Sequence, residues 1–183
     1  MLGILLIIKK SAWVGQTIDY IEVHGQDGLH QQPNIVLLHA GTNDMNGNAS
    51  ISQQGNDPHD AVARLGSLMD NVTNTLPNAV LLTAVILPSN QNGAEASLHQ
   101  EDRTKVYQSL IPGEVAARAQ QGKKVLAVDF STFPPNLLNS GGIHLTEQGY
   151  DLMGRWWYDY IHQIPNEWIV APAGPDPKRP SCQ

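Results

Sequence analysis

The chain has 183 residues, a length that suits one domain with a sizeable hydrophobic core, and its mean hydropathy of −0.26 predicts a globular protein in water. A net charge of −6 with no basic run excludes strong affinity for phosphate backbones, so nucleic acid is not an expected partner. The single cysteine, Cys182, stands in the C-terminal tail, which rules out an internal disulfide and a thiolate metal cluster.

The chain opens on "MLGILLIIKK", whose apolar run over residues 2–8 is too short to span a membrane. Its lysines, Lys9 and Lys10, follow the apolar run, whereas a signal peptide carries its charge first. The segment reads as a buried strand ending at the lysines. Three more runs, over residues 35–38, 80–87 and 125–130, are continuously apolar, as strands covered on both faces of a parallel sheet are.

Helical patterns separate these strands. In "DPHDAVARLGSLMDNVTNTL", Ala61, Leu65, Leu68, Val72 and Leu76 fall on one face, with Asp57 and Pro58 as cap and first-turn pair. A second helix runs through "QEDRTKVYQSLI" and, after Pro112 and Gly113, through "EVAARAQQG". A third begins near Thr146 and carries an apolar stripe of Tyr150, Met153, Trp157, Ile161 and Ile164, expected to be core. The alternation predicts an α/β fold, helices packed on a parallel sheet. One domain is expected over residues 1–168, followed by a proline-rich tail over 169–183. Glycosylation sequons at Asn48 and Asn71 hint at secretion.

Ligands of open parallel sheets bind beyond the carboxyl ends of the strands. Here those ends run into "HAGTNDMNGN", "LPSNQNG" and "VDFSTFPPN", the last followed by "GGIH". Topology therefore predicts that residues 41–44 and His144 share one rim. Asn43 has a short-armed amide suited to a developing oxyanion, and His144 is of the residue type that serves as a general base. Asp44 either holds the turn by accepting backbone hydrogens or, with Gly41, touches substrate. Taken singly each residue has a plain structural reading; their pairing at one rim points to catalysis. A metal site from His39, Asp44 and His144 lacks ligand spacing, and no glycine-rich phosphate loop appears, so no cofactor is expected.

"IVLLHAGTNDM" resembles the third motif block of the SGNH (GDSL-type) hydrolases, and "GGIHLTEQGYDLMGRWWYDYI" resembles their last block. The resemblance, nearest to the acetylxylan-esterase-like branch, runs from about Trp13 to about Ile164. It implies a flavodoxin-like three-layer α/β/α sandwich and a serine esterase that acts outside the cell on small esters or acetylated carbohydrate, without a cofactor. In that scheme a serine ending the first strand attacks the ester and a histidine activates it. An aspartate three residues earlier orients the histidine, and the oxyanion is held by the serine backbone, a glycine and an asparagine. By position Asn43 matches the asparagine and His144 the base.

Two departures stand against the match. The Gly-Asp-Ser block is missing: Ser67 lies inside an amphipathic helix and nothing around Ser11 forms a nucleophile turn. Gly141 occupies the place of the orienting acid, whose disabling costs triad enzymes roughly 10⁴ in turnover. Glu147 and Asp129 are the nearest substitutes, although the first suits a helix's first turn and the second a strand-end cap. "SAWVGQTIDYI" resembles the second block, with Ala12 or Gly15 in the glycine's place. The expectation is an N-terminally truncated esterase domain, weak or inactive, with its first strand absent or replaced by residues 2–8. The alternatives are a non-catalytic relative that binds a glycan or partner, or a misassigned start that hides a complete first block.

Overall fold

The computed structural model describes residues 13–90 and 99–174. Strands β1 (Ile35–Leu38), β2 (Val80–Val85) and β3 (Val125–Asp129) form a parallel sheet in the order β1-β2-β3. Leu38 pairs with Thr83, and Val85 with Asp129. β2 is buried at every position, which accounts for its unbroken apolar sequence. The strand expected over residues 2–8, and with it the question of the first strand, lies outside the described residues.

Alternation along the strands divides the core. Leu81 and Val85 face one side, with helices α3 (Pro58–Thr75) and α4 (Gln100–Gln120) over them. Val80, Leu82 and Ala84 face the other, where α5 (Glu147–Ile161) packs. The result is the expected α/β architecture, helices on both faces of a parallel sheet. Two short helices at the start, α1 (Ile18–His24) and α2 (Gln26–Leu29), were not expected from the pattern.

α3 begins as its sequence implies: Asp57 accepts the His59 N–H at 2.8 Å with Pro58 in the first turn. α4 runs without a break through Pro112 and Gly113. An interior proline costs about 3 kcal/mol or more in lost hydrogen bond and steric clash. That cost is offset by burial of Tyr107, Ile111 and Val115, and by Arg118, which pairs with Asp70 at 2.7 Å and Glu114 at 2.6 Å. α5 is capped by Thr146, which accepts the Gly149 N–H at 3.1 Å. Its stripe is corrected at one position: Ile161 and Ile164 are buried and Met153 and Trp157 pack on the core, but Tyr150 is 58% exposed. Trp156, stacked on Phe130 at 5.6 Å, fills the core instead.

β1 has its expected bounds, whereas β2 and β3 end sooner than their apolar runs. Ile86, Leu87 and Phe130 follow the strands and stay buried, with the Phe130 N–H still donating to the Val85 carbonyl at 3.0 Å. The tail is held at its start: Ile169 packs on the second core and the Asn34 amide donates to the Val170 carbonyl at 2.6 Å. Residues 175–183, with Cys182, lie outside the described part. Among the described residues no helix is long and apolar enough to cross a membrane.

Candidate active site

The loops after β1 and β2 and the loop before α5 meet over the carboxyl edge of the sheet around a cavity of about 250 Å³. Gly41, Thr42 and Asn43 form one wall, Leu87 and Pro88 another, and His144 a third. Three of the four residues singled out from sequence, Gly41, Asn43 and His144, thus share one cavity. Residues 13–16 close the remaining side. Their part was visible in sequence only through the likeness of "SAWVGQTIDYI" to a motif block. Gly15, at φ +77°, lies on that wall, while Ala12 is outside the described residues.

The β1 loop is shaped from below. Gly41 sits at φ +115°, and a Cβ there would run into the Tyr107 ring, which is fully buried and donates to the Ala40 carbonyl at 3.2 Å. Asp44 does not line the cavity. It is fully buried, accepting the Ile18 N–H at 3.0 Å and the Arg64 guanidinium at 3.0 and 3.3 Å. Burial holds its carboxyl above the ordinary carboxylate range, although the Arg64 and Ile18 hydrogen bonds oppose the shift. In this position Asp44 acts as a brace: it satisfies an orphan N–H at the start of α1 and ties that helix to the β1 loop and α3.

Asn43 is positioned by the same brace. Its amide donates to the Gln16 carbonyl at 2.8 Å, and its second N–H has no partner among the described residues. His39 also reaches the cavity wall, half-buried and edge-on to Phe130 at 6.3 Å. Burial drives its pKa down to about 4, so the ring is neutral at pH 7. Its Nε2 accepts the Leu87 N–H at 3.3 Å, which assigns the ring proton to Nδ1 and ties the β1 and β2 loops together.

His144 is exposed, and its ring has no hydrogen-bond partner among the described residues. Its loop is nonetheless well held. The Asn139 N–H donates to the His144 carbonyl at 2.7 Å, and the Asn90 N–H to the Gly142 carbonyl at 2.8 Å. Gly142 supplies the left-handed turn at φ +66°. Neither substitute acid reaches the site. Asp129 accepts the Ser131 N–H at 2.8 Å as a strand-end cap, and Glu147 lies exposed in the first turn of α5. Neither lines the cavity. Ser67 bonds back to Ala63 on α3, and Ser11 is outside the described residues. Among the described residues the cavity's side-chain hydroxyls are those of Thr42 and Tyr150. No group of three or more His, Cys, Asp or Glu among them is placed to hold a metal ion.

Comparison with known proteins gives the chain a family. The chain is 30% identical over 135 residues to a protein of Acetivibrio thermocellus provisionally named endoglucanase X, covering 72% of this chain and 51% of the relative. It is 27% identical over 183 residues to a multidomain esterase of Ruminococcus flavefaciens, covering 98% of this chain and 22% of that one. It therefore spans about half or less of these curated relatives. Among solved structures it resembles a family 3 carbohydrate esterase of Clostridium thermocellum, with a TM-score of 0.59 and 28% identity over 82% of this chain and 67% of that one. The model of the GDSL-like lipase/acylhydrolase family matches residues 5–152, reaching further towards the N-terminus than the motif reading and stopping short of Ile164. With three of its candidate residues gathered at the carboxyl edge of a parallel sheet, and that match across most of its length, the chain belongs to the GDSL-like lipase/acylhydrolase family.

Proposed function

We propose that this domain hydrolyses small acyl esters, acetyl groups on carbohydrate above all, outside the cell. The observation that carries the reading is the meeting of Asn43 and His144 in one cavity from positions a hundred residues apart in sequence. His144 takes the proton of the attacking oxygen, and the spare Asn43 N–H faces the charge that develops on the carbonyl oxygen. The ester C–O bond breaks, one water is consumed, and acetate and a free sugar hydroxyl are released. A cavity of about 250 Å³ suits a short acyl group better than a long chain. The carbohydrate-esterase name of the solved relative supports the sugar side of the substrate.

The rate is expected to be low. Among the described residues no serine, cysteine, aspartate or glutamate lines the cavity. The same observation favours a second reading, a relative that binds glycan in the old cleft without cleaving it. Turnover of p-nitrophenyl acetate and acetylated xylan, compared with His144→Ala, separates the two. A rate equal to that of the variant would remove the hydrolase reading.

A further inference from the structure

Helix α5 presents two parallel rows to solvent beside the cavity. Tyr150, Gly154 and Tyr158 follow the i, i+4 line of the helix, and Asp151, Arg155 and Asp159 form the neighbouring line. Together these six residues line a shallow hollow, and Tyr150 belongs both to it and to the cavity of the candidate active site. Tyr150 and Tyr158 are each 58% exposed on a helix whose other aromatics, Trp156, Trp157 and Tyr160, pack on the core. Among the described residues the one ring that Tyr158 meets is His162, at 4.1 Å. Gly154, between the tyrosines, leaves a notch: a Cβ there would meet nothing.

Such an arrangement has a chemistry. Tyrosine offers a flat apolar face and a polar tip, matching the C–H face and the hydroxyls of a pyranose ring. The charged row beside it supplies acceptors and a fork of donors, with Arg155 and Asp151 already paired at 2.7 Å. With two aspartates to one arginine the row is weakly negative, which suits a neutral sugar better than an anionic ligand. At 1.5 Å per residue the tyrosines stand about 12 Å apart along the axis, a span that a short oligosaccharide covers.

We infer that the Tyr150–Gly154–Tyr158 row is a chain-binding subsite, holding the sugar rings of an acetylated polysaccharide while the cavity holds the ester. The subsite rests on the proposed carbohydrate specificity but is tested apart from catalysis. The probe is affinity electrophoresis of the whole chain in gels containing acetylated xylan, run beside an assay on p-nitrophenyl acetate. Tyr158→Ala removes an exposed ring, and Gly154→Gln fills the notch with a better helix former, so neither threatens the fold. Both variants are expected to bind the polymer between about two- and tenfold more weakly, with unchanged rates on the small ester. Retardation equal to wild type in both variants would overturn the subsite. So would a wild type that cleaves p-nitrophenyl acetate yet runs unretarded. A wild type that is retarded through Tyr158 but silent on the small ester keeps the subsite and removes the hydrolase reading.

Discussion

Asp44, fully buried on the loop after β1, is joined to Arg64 of α3 by a 3.0 Å ion pair, and its other oxygen accepts the Ile18 N–H at the start of α1. One carboxylate thus fixes the loop that presents Asn43, and the chain segment whose Gln16 carbonyl receives the Asn43 amide. Breaking a buried pair leaves an uncompensated charge. Arg64→Met is therefore expected to lower unfolding stability by roughly 3 kcal/mol, measured in urea. Adding Asp44→Asn removes that charge, so the double variant should be less damaged than the sum of the singles. Additive losses would show that the two residues do not act as a unit.

Gly41 is held by conformation and by space at once. Gly41→Ala is expected to cost roughly 1–3 kcal/mol for the positive φ and a similar amount for displacing Tyr107, read as a fall in melting temperature. Gly55 is also left-handed, at φ +86°, but a Cβ there meets nothing. Gly55→Ala should cost clearly less. Equal losses at the two sites would contradict the Tyr107 contact.

The half-buried His39 makes stability depend on pH. Its folded pKa of about 4 lies below the ordinary value of 6.5, so between these limits the unfolded chain binds more protons than the folded one. Stability is full above about pH 6.5 and falls as the medium is acidified towards pH 4, by on the order of 3 kcal/mol. His39→Gln should flatten that part of the pH–stability curve. An unchanged slope in the variant would place the titration elsewhere.

The candidate site can be tested by loss and by gain. Asn43→Ala is expected to reduce turnover of p-nitrophenyl acetate by on the order of a hundredfold, the size of one lost oxyanion donor. Gly141 offers the opposite test. It has no positive φ, is exposed, and a Cβ there would meet only the Asn139 side chain, at 3.3 Å. Gly141→Asp sets a carboxylate three residues before His144, where the family's orienting acid stands. It is expected to raise turnover at least tenfold, a small part of what an orienting acid is worth. A variant that folds and shows no gain would mean that a carboxylate at position 141 does not limit His144.

Much of this was legible before any coordinates. Fully buried parallel strands carry unbroken apolar runs, so residues 35–38, 80–87 and 125–130 announced the sheet. Period-3.6 apolar faces with caps at Asp57 and Thr146 announced α3 and α5. The rule that ligands gather at the carboxyl ends of such strands then put Asn43 and His144 on one rim. Local pattern was a poor guide where tertiary contacts outweigh it. Pro112 does not interrupt α4, because the residues on either side are buried in the core. Tyr150 fits the apolar stripe of α5 yet leaves it for the cavity mouth, since periodicity counts side chains without knowing where the sheet beneath them ends.

By itself, then, the sequence determined the kind of protein: an α/β domain whose motif blocks carry Asn43 and His144 in loops at the carboxyl edge of the sheet. Those are matters of residue type and period, which a linear chain displays. Only the tertiary structure decided that Asp44 is buried and braces α1 against α3, that His39 is neutral and joins two loops, and that Asp129 and Glu147 do not line the cavity. Each of these depends on which groups lie within hydrogen-bond reach and on how much water is excluded around them. Such relations arise between residues distant in sequence, once the chain has folded.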